Sequence, residues 1–166
     1  MKKNISIWIL SVLVIFLTLN LYIVQKHLQK MNTMTIGELV TANIEQSSLE
    51  FISRVDTWAE STSIHAENIV ISNKSSSPEK NIWKSIQFDL RNNKWETITL
   101  TKKIEDVRTV RNAEKKEERY YVFMEIEVAW VKKDILVNLN DREEMTYKLL
   151  LGRNFLSQDF LIHIKK

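Results

Sequence analysis

Across residues 120–130 the chain alternates: Val122, Met124, Ile126, Val128 and Trp130 share one face, and Glu125 and Glu127 lie on the other. A two-residue period of this kind is the mark of a half-buried β-strand. Shorter runs of the same type recur at residues 36–40, 47–55, 66–71, 135–139 and 160–164. Residues 82–90 and 95–100 form a further pair, joined through Arg91-Asn92-Asn93-Lys94 as a hairpin. Leu149-Leu150-Leu151 is wholly apolar, as expected of a strand buried on both faces. Phe155-Leu156 can start a short helix. Many short strands with few helical windows predict an all-β domain, either a closed barrel or a sandwich. With two glycines and one proline in the chain, asparagine has to take some left-handed turn positions, and Asn92-Asn93 is a candidate. Residues 102–118 are dense in charge of both signs and predict a solvated loop or an exposed hairpin tip.

The N-terminus follows a different pattern. Met1-Lys2-Lys3-Asn4 precedes twenty mostly apolar residues, Ile5 to Val24, interrupted by Ser6, Ser11, Thr18 and Asn20. Twenty residues of helix span roughly 30 Å, the thickness of a bilayer's hydrocarbon core. No small-x-small cleavage site follows the run, so residues 1–24 are expected to be an uncleaved transmembrane anchor. Residues 25–35 are expected to be a stalk and residues 36–166 the folded domain. Lys2, Lys3 and the α-amine outweigh Lys26 and Lys30 slightly, which favours an inside N-terminus and an exported domain.

Composition excludes several classes of chemistry. The chain has 24 basic and 21 acidic side chains, which leaves no electrostatic footprint for nucleic acid. It has no cysteine, hence no disulfide, thiolate metal site or thiol nucleophile. His27, His65 and His163 are its histidines, none of them in a His-Glu-x-x-His helix. No glycine-rich phosphate loop is present. No cofactor or metal is therefore expected, and a lone His65 after a strand is read as a core or loop histidine.

The candidate chemistry lies in one loop. Phe51-Ile52-Ser53-Arg54-Val55 alternates and delivers Asp56-Thr57-Trp58-Ala59-Glu60. A carboxylate at the end of a buried strand suits a dyad in which two carboxyls about 3 Å apart share one proton, one acting as base and the other as acid. The chain has one Asp-Thr pair, so a dyad needs two copies of it.

Three blocks, in order, resemble the retropepsin-like aspartic peptidases, and more closely the bacterial family labelled ATP-dependent zinc protease. The first is Asp56 through Ala66, where that family reads Asp-Thr-Gly-Ala-Lys-Thr-Ser-Ala-Leu-His-Ala, with Trp58 and Glu60 as the sharp changes. The second is Asp141-Arg142-Glu143-Glu144-Met145. The third is Leu150-Leu151-Gly152-Arg153-Asn154-Phe155-Leu156. Lys148 stands where the family often has proline. The resemblance covers about residues 36–164. It implies a closed acid-protease barrel that works as a homodimer on a peptide or protein substrate, with Asp56 catalytic and Thr57 locking the two loops together. It also implies supporting roles for Ala59, Glu60, Gly152, Arg153 and Asn154: Gly152 lets a buried strand pass beneath the Asp loop, and Arg153 pairs with Glu60. The flap is expected between Lys103 and Tyr121, with its tip at Asn112. Trp58, where glycine is usual, becomes a substrate-cleft residue. It also supports an alternative, a non-catalytic member that binds peptide or serves as a scaffold. The zinc hydrolase suggested by the family label is a third reading, resting on His65 alone.

Overall fold

The computed structural model describes residues 2–31, 33–111 and 116–164. The chain divides between Met34 and Thr35 into two compact units.

The first unit is helix α1, Lys2–Met31. It continues through residues 25–31, part of the stretch expected to be a stalk. The side chains described in it, residues 10–25, are exposed. Among the described residues no helix is long and apolar enough to cross a membrane, so the transmembrane span expected over Ile5 to Val24 does not emerge from those side chains. Two of its polar interruptions are satisfied within the helix. Thr18 Oγ1 donates to the Ile15 carbonyl at 2.9 Å, and Asn20 Nδ2 donates to that of Phe16 at 2.8 Å.

The second unit is all β apart from short helical turns. Its strands are β1 (Met34–Ile36), β2 (Leu39–Ile44), β3 (Leu49–Val55), β4 (Ser63–Ile71), β5 (Ser85–Arg91), β6 (Thr97–Lys103), β7 (Asp106–Arg111), β8 (Lys116–Val128), β9 (Val131–Asn140), β10 (Leu149–Leu151) and β11 (Phe160–Ile162), with helix α2 at Arg153–Leu156. Six strands close a barrel in the order β10-β3-β2-β8-β9-β4, and β4 returns to β10. The closed barrel thus replaces the choice between barrel and sandwich. β5 and β6 extend the sheet from β4, and β7 pairs with β8. Before the barrel proper, β1 pairs with β11, where the His163 N–H donates to the Ile36 carbonyl at 2.8 Å.

Alternation explains the core. On β8, Val122, Met124 and Ile126 are fully buried, as are Phe51, Ile64 and Leu149 on neighbouring strands. Each such side chain contributes about 1.5–3 kcal/mol relative to exposure. Chain closure explains β10. Leu149, Leu150 and Leu151 run parallel to Ser53, Arg54 and Val55 on one side, and Leu149 and Leu150 run antiparallel to Ile64 and Ser63 on the other. Leu149 and Leu151 are fully buried on one face and Leu150 is half-buried on the other, so the burial expected on both faces is complete on one.

Three local expectations change. The single strand expected at residues 36–40 is two, β1 and β2, interrupted at Gly37-Glu38, where the Glu38 carbonyl accepts from Val55 N–H at 2.8 Å. Trp130 leaves the apolar face of β8. Val128 pairs with Val131, Ala129 turns with φ 54°, and the indole is exposed. In the β5–β6 turn the left-handed residue is Trp95 (φ 65°), not Asn92 or Asn93. Asn92 instead uses its side chain as a clamp, its Oδ1 accepting from Lys94 N–H and Glu96 N–H at 2.9 and 3.0 Å. Elsewhere asparagine does take left-handed positions, at Asn68 and Asn73. The charged stretch forms the β7–β8 hairpin, in register from Asp106↔Tyr121 to Arg111↔Lys116. The tip expected at Asn112 lies outside the described residues.

Candidate active site at the end of β3

β3 and β4 are consecutive in the chain, yet β10 is wedged between them, so the segment joining them, residues 56–62, has to arch over the end of β10. Asp56 begins that arch. Its N–H donates to the Leu151 carbonyl at 3.0 Å. Its Oδ1 accepts from Trp58 N–H at 2.9 Å and Ala59 N–H at 3.1 Å, so the carboxylate fixes its own loop as an Asx-type turn. Asp56 is half-buried, whereas Thr57, Trp58 and Glu60 are exposed.

Gly152 is what lets the arch close. A Cβ there would lie 2.5 Å from the Ser61 carbonyl carbon and 2.7 Å from its oxygen, in direct collision with main chain. Its φ of −91° is ordinary, so the requirement is for space rather than conformation. Beyond it, Arg153 N–H donates to Ala59 and Asn154 N–H to Glu60, at 2.8 and 3.1 Å. The Asn154 amide oxygen accepts from both Thr62 N–H (2.8 Å) and Thr62 Oγ1 (2.9 Å), while Nδ2 donates to the Leu136 carbonyl at 2.8 Å. Thr62 Oγ1 in turn accepts from Gly152 N–H at 3.1 Å. Asn138, buried on β9, donates through its N–H and Nδ2 to the Thr62 carbonyl at 3.0 and 2.8 Å, and accepts from Ser63 Oγ at 2.8 Å.

The structure therefore brings Asp56, Ala59, Gly152, Arg153 and Asn154 together. It does not pair Arg153 with Glu60. Arg153 Nη1 instead donates to the carbonyls of Thr57 (3.2 Å) and Trp58 (2.6 Å), and no ion pair among the described residues joins it to Glu60. The loop's carbonyls converge on the guanidinium, whereas the Glu60 carboxylate acts electrostatically on Arg108. Trp58 is 91% exposed and takes no left-handed φ, so the indole is accommodated without backbone strain where glycine was expected. The Thr57 hydroxyl makes no hydrogen bond among the described residues.

A second group approaches from the loop after β9. Arg142 lies within electrostatic reach of both Arg119 and Asp56. Burial first, and Arg119 next, push its guanidinium below the usual arginine range, while Asp56 opposes them. Its backbone N–H donates to His65 Nδ1 at 3.0 Å. His65 is 2% exposed, with Glu67 Oε2 3.9 Å from Nε2 and Asp141 Oδ1 3.8 Å from Nδ1. Burial, then Lys148, lower its pKa, against the opposing pull of Glu67 and Asp141. With Nδ1 accepting, the ring proton belongs on Nε2, and that atom has no hydrogen-bond partner in the structure. His65 is thus a core histidine, as expected. Among the described residues no group of three or more His, Cys, Asp or Glu side chains is placed to hold a metal.

Sequence reasoning passed over Asn138, quoted Thr62 and Arg142 within matching blocks without giving them a role, and treated Lys148 as incidental. Lys148 is buried, its ammonium donating to the carbonyls of Arg142, Glu143 and Met145. Asn138 offered one signal, a polar residue within the apolar run at residues 135–139.

A closed six-stranded barrel that carries an Asp at the strand end beside a glycine-gated wedge strand defines a retropepsin-like domain. Residues 35–166 match the RimB-like family, described as retropepsin-like aspartic endopeptidase RimB, and the chain belongs to that family. It is similar to a crystal structure of a Legionella pneumophila DUF785 protein of unknown function, with a TM-score of 0.62 and 24% identity over 78% of this chain and 92% of that one. It is also 28% identical over 112 residues to proteins named "Probable alpha-L-glutamate ligase" from Shewanella pealeana and Shewanella halifaxensis. The match takes in 66% of this chain but 24% of each of those proteins, so the chain corresponds to about a quarter of their length.

Proposed function

We propose that this chain is a retropepsin-like aspartic endopeptidase that completes its site by homodimerisation, each copy contributing Asp56. The observation that carries the reading is the fixed Asp56 at the arch over β10, its N–H held by the Leu151 carbonyl and its carboxylate by the Trp58 and Ala59 N–H groups. One Asp56 takes a proton from water as that water attacks the peptide carbonyl. The other donates its proton to the carbonyl oxygen. As the tetrahedral gem-diol collapses, the first carboxyl passes its proton to the departing amine nitrogen and the second takes one back from a gem-diol hydroxyl. Residues 5–24 anchor the enzyme in a membrane with the domain exported. In support, the run has the length of a span, and Thr18 and Asn20 spend their polar atoms on carbonyls one turn back.

The substrate class we infer is an acidic, glutamyl-rich peptide. Arg142 lies within electrostatic reach of Asp56, and the domain's relatives include proteins named as glutamate ligases. The test is cleavage of oligoglutamyl and neutral peptides by the full-length chain at acid pH, with and without pepstatin. The expected result is cleavage that prefers the acidic peptide and is abolished by Asp56→Asn. Cleavage that survives Asp56→Asn overturns the reading. A second reading, a peptide-binding scaffold without catalysis, is favoured by the exposed Trp58, and binding of the same peptides without cleavage would select it.

A further inference from the structure

Trp58 combines a rigid backbone with an unpacked side chain. Its N–H is held by Asp56 Oδ1 at 2.9 Å and its carbonyl by Arg153 Nη1 at 2.6 Å. Its indole, 91% exposed, is the most exposed of the large apolar side chains described. A loop fixed at both ends leaves only the two side-chain torsions of that ring to be ordered, which lowers the cost of burying it against something else.

The position of Asp56 decides what that is. A proton-sharing dyad brings two Asp56 carboxylates to about 3 Å. Trp58 lies two residues further along, within about 7 Å of Asp56 along the chain. A second copy close enough to pair its Asp56 is therefore within reach of this indole. We propose that Trp58 is the apolar anchor of the homodimer: the ring of each copy is buried against the Asp56 loop of the other, on the ground that a glycine would leave open. The inference rests on the two-copy reading above and adds to it the residue that holds the two halves together. Tryptophan is the side chain most often found as such an anchor, because it buries a large area with two rotatable bonds.

The experiment is sedimentation equilibrium of the full-length chain in detergent, comparing wild type, Trp58→Ala, Trp58→Phe and Asp56→Asn, with cleavage of the acidic peptide measured in parallel. Because the ring packs on nothing in its own chain, circular dichroism of Trp58→Ala should match wild type. Trp58→Ala is expected to weaken dimerisation at least about tenfold, Trp58→Phe to recover part of it, and Asp56→Asn to dimerise as wild type. Dimerisation of Trp58→Ala equal to wild type overturns the anchor. If that variant also cleaves faster, the indole obstructs the cleft and the endopeptidase reading stands. A wild-type chain that stays monomeric yet cleaves peptide overturns the anchor and the two-copy site together.

Discussion

Two polar clusters flank the Asp56 arch, and they are built on opposite terms. Beneath it, Thr62, Asn138 and Asn154 interlock: both groups of the Asn154 amide are used, and the Thr62 N–H, hydroxyl and carbonyl are each engaged. Beside it, His65 keeps an unpartnered Nε2, and Lys148 holds an ammonium on carbonyls with no carboxylate bonded to it. A satisfied network fixes one arrangement, whereas a buried imidazole with one unpartnered nitrogen resists protonation. The first cluster therefore sets the geometry of the Asp56 arch, and the second sets its response to pH.

The largest test of this contrast is Gly152→Ala. With main-chain atoms at 2.5 Å there is no side chain to swing aside. The variant should lose more than about 3 kcal/mol, read as the shift in a urea midpoint at constant slope. Asn154→Ala comes next. It leaves the Thr62 N–H and hydroxyl without their acceptor and should cost about 2–3 kcal/mol. Asn154→Asp keeps that acceptor and should lose less. Equal losses for the two would show that the network acts through packing alone.

The His65 cluster predicts a smaller, pH-dependent effect. Burial and Lys148 hold the folded pKa below the ordinary value, so between the two values the unfolded chain binds the proton and the folded chain does not. The contribution is complete above pH about 6.5 and is lost as pH falls through that value towards the folded pKa. Thermal melts from pH 8 to 5 should show this acid-side decline, and His65→Phe should flatten it. Smallest of all, Lys148→Met should barely change stability, because Glu143 and Met145 are exposed and their carbonyls can bond water. It should still move the His65 titration upward in NMR, since one of the causes lowering it is gone.

Much of the barrel was legible because alternation is a local signal. Val122, Met124 and Ile126 announce β8, and the three leucines announce β10. The Asp56 loop and Gly152 were readable as blocks in order. The partners of Arg153 were not: the choice between the Glu60 carboxylate and the Thr57 and Trp58 carbonyls depends on how the arch folds over α2. The roles of Thr62, Asn138 and Lys148 escaped for the same reason. A polar residue 76 positions from its partner, as Asn138 is from Thr62, leaves no periodic trace.

By itself the sequence determined an all-β domain behind an apolar N-terminal run, and an Asp56 delivered by a strand. The tertiary structure alone decided that β10 is wedged between β3 and β4, because strand order follows from pairing between distant segments. It also decided that Gly152 is required for space, that Arg153 serves carbonyls, and that Trp58 points away from its own chain. Each of those outcomes is settled by which main-chain atoms come within bonding distance once the barrel has closed.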